Sequence, residues 1–174
     1  LYLRGKPVLT WHIEAFNRQD IKEIGVVRGY RKETVNLAGL RYFDNDDYES
    51  TGELYSLYKA REFLTGNVLI AYGDILFDNS ILQYLLSQRF DMAIAADASF
   101  RLRGQSRPKR ILVSTIGTIS PLMDEGGCRL ARIGEDRPEG EVTGEWVGLL
   151  SLRGEGTRTV VELLDELAQS EPAT

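Results

Sequence analysis

Asp74 stands where one carboxylate can do chemistry. It lies in the run Val68-Leu69-Ile70-Ala71-Tyr72-Gly73-Asp74-Ile75-Leu76-Phe77. The apolar residues Val68 to Ala71, with Gly66-Asn67 before them and Gly73-Asp74 after, read as a buried parallel strand. Such a strand delivers Asp74 to its C-terminal end, and Gly73 leaves room beside it. Ligands of open α/β sheets sit beyond the carboxyl ends of the strands. A hard cation such as Mg²⁺ is held there by one or two carboxylates plus substrate phosphates. Asp74 is therefore the candidate metal ligand. The competing reading is a Gly-Asp turn that caps the next helix.

Other side chains offer weaker signals. Glu53 and Ser56 fall in the first turns of a helix carrying Leu54, Leu57, Ala60 and Leu64 on one face. A helix start presents free N–H groups and polar side chains to a base or ribose. Ser50 and Thr51 serve equally well as caps of that helix. Arg101, Arg103, Arg107, Lys109 and Arg110 concentrate cations after a strand that ends at Asp97. Bidentate arginines suit phosphonate oxygens, and a solvated loop is the plainer account. Tyr55 and Tyr58 have rings fit for stacking on a base or an ammonium group, although aromatics at helical spacing more often pack. The single histidine, His12, lies near an apolar helix face and reads as packed or surface-exposed. No Ser-His or Cys-His arrangement points to a protein nucleophile.

The elements that must position these residues alternate between helix and strand. Leu9, Ile13 and Phe16 mark a first amphipathic helix, introduced by the loop Gly5-Lys6-Pro7. A strand over Ile24 to Val27, a brief helix over Lys32 to Leu37 and a strand over Leu40 to Phe43 come next. The Leu54 helix ends at Gly66. Beyond Asp74, a helix capped by Asp78 or Asn79 turns Ile81, Leu82, Leu85 and Leu86 inward, and Met92 to Ala96 forms the next strand. This rhythm predicts parallel βαβ units and an α/β/α three-layer sandwich with a mostly parallel sheet. From Lys109 to Leu152 strand-like runs and turns predict an antiparallel excursion. A last helix carries Val160, Leu164 and Leu167, followed by a frayed tail over Ser170 to Thr174.

Composition narrows the field. The chain has 174 residues, of which 43% are hydrophobic and 27% charged, with a net charge of −5. These values suit one soluble globular domain and give no sign of a nucleic-acid or membrane surface. The lone Cys128 excludes an internal disulfide and fits a reducing cytoplasm. No apolar run approaches the ~20 residues that span a bilayer, and no signal peptide opens the chain. A cytoplasmic location is expected.

The order of the segments resembles the sugar-phosphate nucleotidyltransferases of the glycosyltransferase-A-like fold. Gly5-Lys6-Pro7-Val8-Leu9, Val27-Arg28-Gly29-Tyr30, Glu53-Leu54-Tyr55-Ser56-Leu57-Tyr58, Tyr72-Gly73-Asp74-Ile75-Leu76-Phe77 and Gly144-Glu145-Trp146-Val147-Gly148-Leu149 carry the likeness. It is strongest to cytidylyltransferase domains of phosphonate and phosphocholine metabolism, including those fused to, or encoded beside, phosphoenolpyruvate mutase. The resemblance implies one nucleotidyltransferase-like domain over residues 1–174, acting with Mg²⁺ on CTP and a small phosphonate or phosphate monoester. A homodimer, or a fusion to a phosphoenolpyruvate mutase domain, is compatible with it.

Site roles follow from the resemblance. Lys6 and Asp74 are the implied catalytic residues, Asp74 also holding the metal. Thr51, Glu53, Ser56 and Gly73 would line the nucleotide site. Asp97, Arg101 and Glu145 would face the acceptor, with Glu145 suited to an amine. For Lys6 the plain reading is a loop lysine, for Asp97 a turn residue, and for Glu145 an edge charge. Two family elements have no counterpart within Leu1 to Thr174. One is an Ala-Gly-x-Gly-x-Arg phosphate loop, expected just before Leu1. The other is a second metal aspartate after the Leu164 helix, where only Asp165 and Glu171 lie near and neither fits a strand end. The alternatives are a phosphocholine or sugar-phosphate nucleotidyltransferase, and a non-catalytic regulatory or assembly domain derived from the same fold.

Overall fold

The computed structural model describes residues 1–99, 111–117, 127–135 and 138–170. These fall into two compact units, Leu1–Val68 with Leu152–Thr174, and Leu69–Ser151. Helices and strands alternate along the chain as the sequence pattern predicts, giving an α/β fold.

The first unit opens with a hairpin instead of a plain loop. Strands β1 (Tyr2–Leu3) and β2 (Lys6–Pro7) pair antiparallel, Leu3 opposite Lys6. Arg4 and Gly5 make the turn with φ of 50° and 76°, and the glycine reaches that region without strain. Pro7 then stands at the N-cap of helix α1 (Val8–Arg18). The helix buries Val8, His12 and Ala15, while Leu9, Ile13 and Phe16 are only half-buried. The expected stripe has the right period and is displaced by one residue. His12 packs at 5.8 Å from the Phe16 ring, within the helix face.

Strand β3 (Gly25–Arg28) runs parallel to β4 (Arg41–Asp44), and the register ends with Arg28 opposite Asp44. Between them the expected helix shrinks to one 3₁₀ turn, Lys32–Thr34. Helix α2 (Glu53–Lys59) stops earlier than the periodicity predicts, and a 3₁₀ turn at Arg61–Phe63 follows. Leu54, expected inward, is exposed, whereas Ala60 and Leu64 are buried. The break after Lys59 re-aims the last two apolar residues and leaves the first outside. Helix α4 (Glu155–Ser170) packs on α2. Arg61 meets Asp165 at 3.0 Å, and the Thr157 hydroxyl donates to the Gly66 carbonyl at 2.7 Å.

The second unit is built on a five-stranded sheet. Strands β5 (Val68–Ala71), β9 (Gly144–Leu152), β7 (Leu112–Ile116) and β8 (Arg129–Gly134) lie in that order, and β6 (Met92–Asp97) also pairs with β9. β7 is antiparallel to both β8 and β9, which is the antiparallel excursion. Helix α3 (Asn79–Ser87) buries Leu82 and Leu85, and Val113 and Leu149 are fully enclosed. Among the described residues no helix is long and apolar enough to cross a membrane.

Candidate active site

Three candidate acids belong to the second unit: Asp74 after β5, Asp97 at the end of β6 and Glu145 on β9. The Tyr72 amide donates to the Gly148 carbonyl at 3.0 Å, so the chain stays tied to β9 one residue past β5. The Tyr72 ring packs edge-on against Trp146 at 5.1 Å. Gly148 has φ of 84°, and a Cβ there would come within 3.1 Å of the Tyr72 ring. Only glycine serves at that position. Gly73 and Asp74 follow in an exposed turn, and a Cβ on Gly73 would meet open space.

Asp74 makes no hydrogen bond or ion pair with the described residues, and the capping alternative belongs to another residue. Asp78 accepts from the Ser80 amide at 2.8 Å and from its hydroxyl at 2.7 Å, which caps α3. The Ser80 hydroxyl, then its amide, hold the Asp78 carboxyl below its usual 3.8. A strand-end carboxylate with no structural employment is the donor that a Mg²⁺ ion completed by substrate phosphates requires. Among the described residues no group of three or more His, Cys, Asp or Glu could hold a metal alone. A lone carboxylate such as Asp74 fits only an ion that substrate phosphates would complete.

Asp97, at the end of β6, accepts from the Ser99 amide at 3.0 Å and its hydroxyl at 2.8 Å. This is the turn role. Glu145 lies on β9, half-buried and opposite Leu112, and no described residue pairs with its carboxylate. The next-door Gly144 passes so close to β6 that a Cβ would stand 3.3 Å from the Asp97 carbonyl. Asp97 and Glu145, far apart in sequence, therefore share one end of the sheet. Arg101, together with Phe100, Arg103, Arg107, Lys109 and Arg110, lies outside the described residues.

The remaining candidates belong to the first unit. Lys6 is half-buried on β2, not a flexible loop cation. Its ammonium donates to both Glu14 oxygens at 2.6 and 2.7 Å and sits 3.7 Å over the Trp11 ring. A phosphate using Lys6 must share it with Glu14. Gly52, with no side-chain bond, takes the N-cap of α2, and the expected caps Ser50 and Thr51 instead donate to the Asp47 carbonyl at 3.1 and 2.8 Å. Glu53 begins the helix and is exposed. Asp165 is engaged by Arg61 at 3.0 Å.

Two features here escape a sequence reading. Arg28 grips Asp44 in bidentate fashion at 2.8 and 3.1 Å, holding that carboxyl below its usual 3.8. Lys32 also reaches Asp44, at 3.5 Å, and hydrogen-bonds Asp46, which chiefly raises its pKa. Directly after Asp44 comes Asn45, whose side chain is wholly buried. Its amide donates to Thr51 Oγ1 and to Ser56 Oγ, both at 3.0 Å, and its oxygen accepts from the Asp47 amide at 3.1 Å. The only signal was an Asn at a strand end, which reads as a turn former.

Residues 1–136 match a family model described as a MobA-like NTP transferase domain. A CMP-5'-(3-aminopropyl)phosphonate synthase of Streptomyces rubellomurinus is 31% identical over 120 residues, covering 64% of this chain and 18% of that protein. A CTP:phosphoglutamine cytidylyltransferase of Campylobacter jejuni is 26% identical over 108 residues, covering 56% of this chain and 43% of that protein. The chain thus spans less than half the length of either relative. The solved CTP:phosphocholine cytidylyltransferase from Streptococcus pneumoniae superposes with a TM-score of 0.53 at 16% identity, over 97% of this chain and 67% of that one. That likeness shows a common fold.

Proposed function

Because the chain belongs to the MobA-like NTP transferase domain family, we propose that it transfers CMP from CTP to a small phosphonate and releases pyrophosphate. The observation that carries this reading is Asp74, a carboxylate after β5 with no partner among the described residues, beside a helix already capped by Asp78. Asp74 would hold Mg²⁺, which when bound neutralises triphosphate charge and polarises the phosphoryl oxygens. The attacking phosphonate oxygen is anionic at neutral pH, so the protein needs no general base. Its work is to position the reactants and stabilise developing charge. That agrees with His12 being packed in a helix face.

Two details favour an aminoalkylphosphonate over phosphocholine. Glu145 offers a half-buried carboxylate, unpaired among the described residues and suited to a primary ammonium. Trp146, one of two aromatics available for a quaternary-ammonium cage in the acceptor half, is committed elsewhere. Its ring packs on Tyr72 and its indole N–H donates to the Leu149 carbonyl at 2.9 Å. The resemblance to the 3-aminopropylphosphonate enzyme agrees. The test is pyrophosphate release by the full-length protein with CTP and Mg²⁺, 3-aminopropylphosphonate competing against phosphocholine. A higher specificity constant for phosphocholine overturns the acceptor assignment. Turnover of neither, without CTP binding, supports the non-catalytic alternative.

A further inference from the structure

The hydrogen bonds around Asn45 give two neighbouring hydroxyls different jobs. The orientation of its amide is set by the backbone, because the Asp47 N–H needs an acceptor and faces Oδ1 at 3.1 Å. Reversing the amide would set donor against donor. Both Nδ2 hydrogens then go to Thr51 Oγ1 and Ser56 Oγ. Each hydroxyl has one proton and two lone pairs. Thr51 has given its proton to the Asp47 carbonyl at 2.8 Å, so a lone pair is all it has left. Ser56 also accepts from Asn45, but its proton has no acceptor among the described residues. Ser56 is half-buried, and its hydroxyl keeps that proton to give.

We infer that Asn45 is a positioning residue that locks Ser56 as a hydrogen-bond donor to an acceptor atom of the bound nucleotide, while Thr51 serves the loop. This rests on the reading of the chain as a CTP-dependent transferase. Asn45 is anchored for the task, since its backbone N–H donates to the Arg28 carbonyl at the end of β3 at 2.8 Å. A buried, fully used amide holds a hydroxyl in one polarity more firmly than solvent does.

The decisive variant is Asn45→Asp, which keeps the shape and the Oδ1 acceptor but turns the donor into an acceptor. The Ser56 proton is then drawn inward and lost to the ligand. The KM and Kd for CTP should rise roughly three- to tenfold, the scale of one hydrogen bond, with kcat and the acceptor KM nearly unchanged. The new charge could also repel a triphosphate, so the same change is made in a Ser56→Ala background. If Asn45 acts through Ser56, it adds little there; multiplying effects mean a charge or packing role and overturn the inference. Should Asn45→Asp fail to fold, Ser56→Ala and Thr51→Val decide. Ser56→Ala must weaken CTP binding more, and Thr51→Val must cost more thermal stability; the reverse order overturns the assignment. Calorimetric titration of the unaltered protein with Mg·CTP separates the two readings. No binding removes the transferase reading and this inference with it, whereas unaltered binding in every variant removes this inference alone.

Discussion

Asp74 follows, and Asp97 ends, a strand that pairs with β9, yet their carboxylates are used in opposite ways. Asp97 closes its own turn through Ser99. Asp74 closes nothing, because the helix after it is capped by Asp78. A carboxylate consumed locally stabilises the fold, and one left over in an exposed turn costs nothing to keep and is available to a cation. Glu145 belongs with Asp74 in this respect, although it lies at the Asp97 end of the sheet. Sequence position alone ranks the two aspartates equally; their partners separate them.

The largest expected effect tests the unpaired member. Asp74→Asn should lower the rate of pyrophosphate release by about 10²-fold or more, the scale of a lost metal contact, with the Tm hardly moved. A variant that melts early yet turns over normally would make Asp74 structural and erase the contrast. Glu145→Gln comes next: the KM for 3-aminopropylphosphonate should rise roughly tenfold, as for a lost charged hydrogen bond. A phosphonate of similar size without the amine should be indifferent to the change, and equal effects on both would make Glu145 an edge charge. Asp97→Ala should act on the fold, costing about 1–2 kcal/mol in denaturant unfolding for two lost hydrogen bonds. A large rise in acceptor KM at unaltered stability would move Asp97 to the functional side. The smallest effect belongs to Asp78→Asn, which retains a capping oxygen and removes the charge. The folded-state pKa of Asp78 is depressed, so the ionised group stabilises the fold above its usual 3.8 and loses that contribution as pH falls below it. The Tm difference between parent and variant should be small at neutral pH and close on acidification. A gap that persists to low pH would mean the charge plays no part in the cap.

Much of the fold was legible because hydrophobic period and punctuation are local properties. The strand before Gly73-Asp74, half-buried where its apolar run reads as buried, the βα alternation and antiparallel pairing within the stretch from Lys109 to Leu152 are of this kind. Boundaries and phase were less so. In α1 a spacing of four and three residues fits Leu9, Ile13 and Phe16 as well as Val8, His12 and Ala15, and only packing selects the second set. The early end of α2 could not be read from Leu54, Leu57, Ala60 and Leu64, whose period continues through the break.

By itself the sequence determined the class of fold and the strand that precedes Asp74. Those depend on residue types and on neighbours a few positions away. Tertiary structure alone decided which polar groups are already spent. Glu14 neutralises Lys6, Asp78 leaves Asp74 unneeded as a cap, Ser99 occupies Asp97, and Asn45 divides the roles of Thr51 and Ser56. Hydrogen-bond capacity is finite and is filled by whichever groups folding brings within about 3 Å. What remains unfilled is available to a ligand, and that remainder is a property of the folded arrangement.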